Sequence, residues 1–423
     1  MKKFVVQGRR LLSGRFSVAG NKNAALPALA AALMTDQPVM LYNIPDILDV
    51  QVSLEIMQAL GAEVEFSQHT VKIDASGIQY DQVPDQLAAR LRASILYLAP
   101  LLHRKGRVKL RHPGGCVIGK RPVGTHFRAL AELGYRVTVE QDHYLVEVGD
   151  SMQDQTVILD EVSVTATENL LMVAATRPVT TQIVGAACEP HVVDICNLLI
   201  AMGARITGVG SNLLTVTGTQ KLTGAEFTIG PDIIEAGSII ILAAASNSRL
   251  IVDHIRAEEL KVIQHYLQAF GVKLNYLSET AVEVEPSTLH APVGLKEVQS
   301  RFWPGLPSDL MSILIVLATQ AKGNSLFHEW MYNSRLFFTD KLTRMGADIV
   351  MCDPHRVLVS GPTSLRGKVL PSPDIRAGVA LLIAALIADG ESVLEHAEMI
   401  LRGHEQIAAR LNQLGAEIKL IDG

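Results

Sequence analysis

The sequence predicts an α/β protein of two domains, each built from three copies of one repeating unit. The first observation is a recurring phrase: an apolar residue, a glycine, and then a residue that begins an alternating strand pattern. Its glycines are Gly61, Gly134, Gly203, Gly271, Gly346 and Gly415. Their nearly even spacing divides the chain into six repeats of similar length. A fixed period of this kind predicts the architecture before any motif is considered.

The second observation is an apolar segment in each repeat that predicts a buried helix. Alanine, leucine and isoleucine fill these segments so completely that no polar face remains, which is typical of a helix surrounded by core. They are too short to cross a bilayer, which takes about 20 residues. The predicted segments are 24–34, 93–102, 170–175, 236–245, 310–318 and 377–388.

Polar or charged residues immediately precede these segments. They are Lys22 and Asn23, Arg92, Thr167 to Asn169, Glu235, Asp309 and Arg376. If the helices of one domain point the same way, their N-termini converge with unpaired N–H groups and partial positive charge. Such a place binds anions, so these residues are expected to line an anion site.

The third observation is the strand pattern around the helices, clearest in the fourth repeat. Residues 250–252 predict a strand, 257–269 a helix that Gly271 ends, and 272–276 with 281–285 a hairpin. Because the repeats pack cyclically, the N-terminal strand can close the C-terminal domain. We therefore expect domains of residues 22–230 and 1–21 plus 231–423, with the active site in the cleft between them.

Composition excludes several classes of protein. Hydrophobic residues make up 48% of the chain and charged residues 19%, as in a globular protein with an ample core. The net charge of −5 argues against nucleic acid as a partner. Residues 1–10 lack the apolar stretch of a signal peptide, and four cysteines show no disulfide or metal-ligand spacing. The sequence thus predicts a cytoplasmic protein with free thiols and no membrane partner, and leaves its oligomeric state open.

A basic, glycine-rich loop interrupts the repeat pattern. Residues 104–121 hold seven Lys and Arg and no acidic residue, and Cys116 lies there between Gly114-Gly115 and Gly119. Nearby cations stabilise a thiolate and lower the pKa of a thiol from about 8.5. A lone cysteine is otherwise a small buried apolar residue, and a basic loop can be a solvated surface. The glycines and the unbroken positive charge favour a reactive, exposed Cys116 instead.

Seven motifs stand along the chain: Gly20 to Pro27, Arg92 to Ile95, Pro113 to Pro122, Glu189-Pro190, Pro307 to Asp309, Asp374 to Ala377 and Arg402 to Glu405. With these motifs the chain resembles the enolpyruvyltransferase family, and within it the UDP-N-acetylglucosamine enolpyruvyltransferases (1-carboxyvinyltransferases). The resemblance covers the full length, and the segment Pro113 to Pro122 around Cys116, which we call the cysteine loop, separates this branch from the shikimate-pathway branch.

The resemblance implies a fold and a reaction. The family fold is two inside-out α/β barrel domains of three βαβαββ-type units each. The family reaction transfers the enolpyruvyl group of phosphoenolpyruvate to the 3-hydroxyl of UDP-N-acetylglucosamine and releases phosphate, the first committed step of peptidoglycan synthesis. No metal or organic cofactor is implied.

The resemblance also implies roles for individual residues. Cys116 is implied as the general acid that protonates C3 and can form a covalent adduct, and Asp309 as the group that takes the proton of the sugar hydroxyl. Guanidinium groups suit both anionic ends of phosphoenolpyruvate. Its implied ligands are Lys22, Asn23, Arg92, Arg121, Arg376 and Arg402, with Lys22 and Arg402 also catalytic. The implied nucleotide-sugar ligands are Asn23, Arg92, Arg121, Pro122, Val123, Gly124, Thr125, Ser163, Val164, Asp309 and Met331.

The nucleotide pocket departs from the family pattern at two positions. Gly124 stands where the family usually has an acidic residue, and Glu161 where a lysine is common. An acid beside a diphosphate repels it by about 1 kcal/mol after screening. Two other hypotheses therefore stay open: an enolpyruvyltransferase for another nucleotide or nucleotide-sugar acceptor, and a non-catalytic ligand-binding paralogue.

Overall fold

The computed structural model describes residues 1–114, 122–149 and 153–422. These residues fall into two compact units. We call residues 1–19 and 231–422 the terminal unit, and the described part of 20–230 the internal unit. Each unit has its own apolar core, which is formed by residues of that unit alone.

The helices follow the order of the chain. Those of the internal unit are α1 (Lys22–Ala32), α2 (Leu48–Leu60), α3 (Asp85–Arg90), α4 (Leu98–Lys105), α5 (Gly124–Glu132), α6 (Val164–Ala175) and α7 (Pro190–Ala201). Those of the terminal unit are α8 (Ile233–Ala245), α9 (Ala257–Ala269), α10 (Ser308–Ala318), α11 (Thr339–Arg344), α12 (Ile375–Ile387), α13 (Glu398–Leu401) and α14 (Ile407–Asn412). Short 3₁₀ helices span Arg92–Tyr97 and Arg335–Phe338.

The strands lie between these helices. They are β1 (Lys2–Gln7), β2 (Ser13–Ser17), β3 (Val39–Tyr42), β4 (Glu63–Ser67), β5 (Thr70–Asp74), β6 (Arg107–Arg111), β7 (Arg136–Val139), β8 (His143–Glu147), β9 (Gln155–Ile158), β10 (Thr180–Val184), β11 (Arg205–Thr207) and β12 (Leu213–Thr217). The series continues with β13 (Glu226–Thr228), β14 (Arg249–Asp253), β15 (Lys273–Ser278), β16 (Ala281–Glu285), β17 (Val298–Gln299), β18 (Gly323–His328), β19 (Asp348–Asp353), β20 (Arg356–Gly361), β21 (Val369–Pro371), β22 (Glu391–Glu395) and β23 (Glu417–Asp422).

Within the described residues, each unit surrounds its apolar helices with three small sheets. The internal unit has the strand orders β13-β3-β5-β4, β6-β8-β7 and β11-β12-β10-β9. The terminal unit has β21-β22-β1-β23, β15-β16-β14-β2 and β17-β18-β20-β19. In the terminal unit α8, α10 and α12 pack against one another, and their side chains are buried almost throughout. This burial confirms the three buried helices predicted from the apolar segments of this unit.

The N-terminal segment completes the terminal unit. Strand β1 lies antiparallel between β22 and β23, and β2 lies parallel to β14 with Ser13 opposite Arg249. Two of the sheets of this unit therefore contain a strand from the start of the chain, before α1.

The six repeat glycines share one backbone conformation. Their φ angles are +105°, +89°, +107°, +84°, +106° and +101° in chain order, in the left-handed region that favours glycine. Gly61, for example, directly follows α2, and a Cβ added to it would lie 2.4 Å from the carbonyl oxygen of Gly77. The recurring phrase is thus the turn by which a helix ends and a strand begins.

Two of the predicted helix boundaries were wrong. Residues Thr167 to Asn169 do not open their helix, because α6 begins at Val164 behind Ser163, whose Oγ accepts from the Ala166 N–H at 3.4 Å. Segment 93–102 is not one helix but the 3₁₀ helix Arg92–Tyr97 followed by α4. Pro100 lies in the first turn of α4, where a missing N–H leaves no hydrogen bond unmade.

In the part of the chain that the structure describes, none of the helices combines the length and the apolar character needed to cross a membrane.

Candidate active site

Two buried arginines hold Asp309 in the terminal unit. Arg376 contacts Asp309 Oδ2 through Nε at 2.9 Å and Nη2 at 2.8 Å, and Arg335 Nη2 donates to Oδ1 at 3.2 Å. The side chains of Arg335 and Arg376 are 3% and 9% exposed, whereas that of Asp309 is 30% exposed. The carboxylate is therefore the accessible part of a mostly buried charge cluster.

Two helix N-termini hold this cluster in place. Asp309 is the second residue of α10 and Arg376 the second of α12, where Asp374 caps the helix by accepting from the N–H groups of Arg376 and Ala377. Contact between Asp309 and Arg376 places the two N-termini side by side. The expected convergence of helix N-termini is thus confirmed for this pair.

Arg335 and Glu329 belong to the same region but were not among the predicted site residues. Burial lowers the pKa of Arg335, but nearby acids, Asp309 first among them, raise it above its usual value. Glu329 Oε1 accepts from the Met331 N–H at 2.9 Å, and Oε2 accepts from the Ser308 hydroxyl at 2.6 Å. Glu329 therefore connects the backbone of Met331, a predicted ligand of the nucleotide sugar, to Ser308, the first residue of α10.

Lys22 occupies the first position of α1 in the internal unit. Asn21 caps this helix, since its Oδ1 accepts from the Asn23 N–H at 2.9 Å. Lys22 Nζ lies 2.6 Å from Asp49 Oδ2, and the two side chains are 11% and 6% exposed. Asp49 is a partner that sequence reasoning missed, because an acid in the first turn of a helix such as α2 is ordinary.

Arg92 lies next to the start of the cysteine loop. Its Nη1 donates to the Pro113 carbonyl at 3.2 Å. Nearby, His126 is 4% exposed, with Nε2 3.1 Å from Thr165 Oγ1 and Nδ1 3.1 Å from Asn169 Nδ2. Burial, and then the charge of Arg92, lower the pKa of His126 to about 3. His126 is therefore neutral, with Nδ1 accepting from the Asn169 amide.

This histidine predicts a loss of stability in mild acid. Because the pKa of His126 is lower in the folded chain than in the unfolded chain, protonation favours unfolding as pH falls from 6.5 towards 3. The free energy of unfolding should fall by about 1.4 kcal/mol per pH unit from this group alone. Denaturant titrations at pH 7, 6 and 5 should show about half of this slope between pH 7 and 6 and most of it between pH 6 and 5, and His126→Gln should reduce it. A control at the exposed His265, His265→Gln, should keep it; equal slopes in both variants would contradict the prediction.

Five of the predicted nucleotide-sugar ligands lie around the starts of α5 and α6. Val123, Gly124 and Thr125 lead into α5, and Ser163 caps α6 ahead of Val164. The Thr125 hydroxyl lies 2.9 Å from Glu161 Oε1 and 3.1 Å from Asp160 Oδ1. Arg128 forms an ion pair with Asp160. The acids at this place are thus partly compensated by a hydroxyl and an arginine.

Four predicted site residues remain: Cys116, Arg121, Pro122 and Arg402. Cys116 and Arg121 lie outside the described residues. Pro122 is exposed, and Arg402 is partly buried directly after α13. Among residues 1–114, 122–149 and 153–422, no group of three His, Cys, Asp or Glu side chains is placed to hold a metal ion.

Acids from elsewhere in the chain pair with two cations of the basic run before Cys116. On strand β6, Arg107 pairs with Asp81 at 2.5 Å and Lys109 with Glu140 at 3.0 Å. These cations therefore act first as structural partners. The run therefore offers Cys116 fewer unpaired positive charges than its sequence indicated.

Comparison with known proteins defines the class to which this fold and site belong. The family model described as EPSP synthase (3-phosphoshikimate 1-carboxyvinyltransferase) matches residues 6–411. A solved enolpyruvyl transferase, NikO from Streptomyces tendae, superposes with a TM-score of 0.88 at 23% identity over 100% of this chain and 99% of that one. EPSP synthase from Acinetobacter baumannii superposes with a TM-score of 0.77 at 16% identity over 100% of both chains.

Two curated relatives are similar over their whole length. UDP-N-acetylglucosamine 1-carboxyvinyltransferase of Treponema denticola is 42% identical over 99% of each chain. The protein of the same name from Bradyrhizobium diazoefficiens is 43% identical over 99% of this chain and 98% of its own. The chain belongs to the EPSP synthase family of enolpyruvyl (carboxyvinyl) transferases. The predicted family, enzyme class and fold are confirmed.

Proposed function

We propose that this chain transfers the enolpyruvyl group of phosphoenolpyruvate to the 3-hydroxyl of UDP-N-acetylglucosamine and releases phosphate, the first committed step of peptidoglycan synthesis. The observation that carries the proposal is the full-length similarity, at about 42% identity, to relatives named UDP-N-acetylglucosamine 1-carboxyvinyltransferase. The proposed compartment is the cytoplasm, because the free thiols of Cys188, Cys196 and Cys352 suit a reducing environment.

The proposed reaction is an addition followed by an elimination. The 3-hydroxyl oxygen bonds to C2 of phosphoenolpyruvate, Asp309 takes the hydroxyl proton, and Cys116 gives a proton to C3, which forms a tetrahedral ketal. Loss of a proton from C3 and of phosphate from C2 then restores the double bond in the product. The Cys116 thiol can also add across the double bond itself, with the sulfur bonding to C2 and a proton going to C3, which gives a covalent adduct that keeps the phosphate. Asp309 suits its role because its carboxylate is accessible while its arginine partners are buried.

The remaining residues are proposed to bind and orient the substrates. Lys22, Arg121 and Arg402 bind the phosphate or carboxylate of phosphoenolpyruvate, with Arg92 and Arg376 close by. Asn23 holds the sugar or the ketal. Pro122, Val123, Gly124, Thr125, Ser163, Val164 and Met331 are proposed to contact the nucleotide sugar. We propose residues 22–230 and 1–21 plus 231–423 as the two functional domains.

The direct test measures phosphate release from phosphoenolpyruvate with and without UDP-N-acetylglucosamine, together with the mass of the product. Release that requires the acceptor, with a product heavier by one enolpyruvyl group, is the expected result. Failure with this acceptor but turnover with another nucleotide sugar would move the assignment to a different acceptor. Neither turnover nor a phosphoenolpyruvate adduct on the protein would favour a ligand-binding paralogue.

The proposed acid role of Cys116 predicts different outcomes for two substitutions. Cys116→Ser should lower kcat about 100-fold, because a hydroxyl gives up its proton far less readily than a thiol. Cys116→Asp should retain activity, since a carboxylic acid can still supply a proton. Steady-state phosphate release checks both, and wild-type turnover in Cys116→Ser would exclude the role. A thiol-alkylating phosphonate epoxide such as fosfomycin should inactivate the wild type and modify the peptide that contains Cys116.

The negative charge of Glu161 is expected to weaken the binding of UDP-N-acetylglucosamine. Glu161→Gln should lower the KM for UDP-N-acetylglucosamine about fivefold, because removing one screened negative charge near a diphosphate gains about 1 kcal/mol. Glutamine keeps an oxygen for the Thr125 hydroxyl, so the local hydrogen bond survives. Glu65→Gln removes an exposed acid of the same unit on β4 and serves as the control. An equal acceptor KM in the wild type and in Glu161→Gln would mean that the diphosphate binds away from Glu161.

A further inference from the structure

A buried ionic cluster in the terminal unit takes no part in the proposed chemistry. It consists of Glu235 at the start of α8, His404 in the turn between α13 and α14, and Arg410 on α14. Glu235 and His404 are each 2% exposed. Burying a charge is costly unless the charged group is paired. Each charged group of this cluster is therefore expected to have partners within it.

Arg410 joins three separate segments through one guanidinium group. Nη1 donates to Glu235 Oε1 at 2.8 Å and to the Glu405 carbonyl at 3.2 Å. Nη2 donates to Glu235 Oε2 at 2.9 Å and to the Ser17 carbonyl at 2.5 Å. The guanidinium carbon also lies 4.1 Å from the ring centroid of Phe16, within the range of a cation–π contact. A lysine could not make these contacts together, because it lacks the planar fork.

Glu235 receives donors on both carboxylate oxygens. Besides Arg410, Oε2 accepts from the Ala19 N–H at 2.8 Å, and Oε1 lies 3.4 Å from His404 Nδ1. Burial alone raises the pKa of Glu235, but His404 and Arg410 outweigh it and lower the pKa to about 2. Glu235 is therefore ionised at neutral pH. Its carboxylate connects α8 to the turn between α13 and α14 and to the segment after β2.

The turn that this cluster holds is the one that carries Arg402. The N–H groups of Gly403 and His404 donate to the Ile400 carbonyl at 3.1 and 3.2 Å, so the turn starts as a continuation of α13. Its far end leaves at Gln406 with φ +41°, an unusual angle for a non-glycine residue. Between these ends, His404 contacts Glu235 and the Glu405 carbonyl accepts from Arg410. The two residues that follow Gly403 are thus fixed from inside the unit.

We propose that Arg410 and Glu235 are positioning residues that fix the Arg402 turn and thereby set the affinity for phosphoenolpyruvate. This inference rests on the proposed role of Arg402 in binding that substrate. The pair acts through the backbone of the turn and through His404, without contacting the substrate. Loss of either partner frees the turn, and Arg402 then spends much of its time away from the anion it binds.

The test compares Arg410→Met and Arg410→Lys with Arg177→Met, which removes a buried arginine of the internal unit. Arg177 is 2% exposed and donates to the Leu133 carbonyl at 2.7 Å, so it controls for loss of a buried guanidinium. Arg410→Met should raise the KM for phosphoenolpyruvate about 30-fold, with the acceptor KM changed less than threefold. Arg410→Lys should recover part of this loss, and Arg177→Met should leave the phosphoenolpyruvate KM unchanged.

Hydrogen exchange of the backbone amides separates this inference from the proposed function. Arg410→Met should speed exchange across residues 402–406, and Arg177→Met should not. A folded Arg410→Met protein with wild-type KM for phosphoenolpyruvate and wild-type exchange would overturn the proposal. If the wild type shows no transfer at all, the proposed function fails and the exchange result still decides whether the pair fixes the turn. If Arg410→Met does not fold, Arg410→Lys and Glu235→Gln provide the same two measurements.

Discussion

Asp309→Asn is expected to lower kcat about 1,000-fold while the KM for phosphoenolpyruvate changes little, since general base catalysis contributes about 100- to 10,000-fold. Asparagine fills the same space but cannot accept the sugar proton. The measurement is steady-state phosphate release at saturating concentrations of both substrates.

The surroundings of Asp309 allow a second explanation, which the same kinetics can distinguish. Asp309 also orients Arg376 through two contacts, and Arg376 is a proposed phosphoenolpyruvate ligand. If orienting this arginine were the main function of Asp309, the KM for phosphoenolpyruvate would rise and kcat would fall far less. Asp253→Asn, which breaks the ion pair with Arg15 on a strand of the same unit, controls for the loss of an Asp–Arg pair.

Losing the carboxylate should also destabilise the terminal unit. Arg335 and Arg376 would keep their buried charges without Asp309, and breaking a buried ion pair costs about 3–5 kcal/mol. Since the Asp309 side chain is 30% exposed, solvent screening should bring the cost below that range. Activity should therefore be compared at a temperature where the variant is fully folded.

Local signals explain why so much of the fold could be predicted. The six glycines mark turns in the left-handed region, which few other residues adopt, and the apolar segments have no polar face to expose. The boundary at Val164 was missed although Ser163 is a good capping residue, because the apolar run that begins at Leu170 was the stronger pattern. Helix starts depend on a single cap, whereas helix interiors depend on many residues.

The partners of the site residues could not be predicted in the same way. Asp49 is on α2 whereas its partner Lys22 is on α1, and strand β18 separates Arg335 from Asp309 along the chain. No periodicity of the sequence specifies pairs of this kind. Likewise the basic run before Cys116 suggested unpaired charge, although acids on other segments neutralise two of its members. A sequence supplies the charges, and the fold determines which of them remain available to a ligand.

Lys22→Met is expected to lower kcat/KM for phosphoenolpyruvate about 1,000-fold, comparable to removing one preorganised donor from a transition-state anion. Methionine approximates the length of the lysine side chain without its charge. The same change should reduce stability, because Asp49 would keep a carboxylate that is only 6% exposed after losing its cation. A loss of activity alone therefore cannot separate a role in substrate binding from a role in folding.

The double variant Lys22→Met/Asp49→Asn separates the two roles. Neutralising Asp49 removes the buried negative charge that the lysine no longer balances, so unfolding in denaturant should return towards the wild-type midpoint. Transfer activity should stay low, because the cation for phosphoenolpyruvate is still missing. If activity returned together with stability, Lys22 would be a structural partner of Asp49, and binding of the anion would have to depend on arginines such as Arg121 and Arg402.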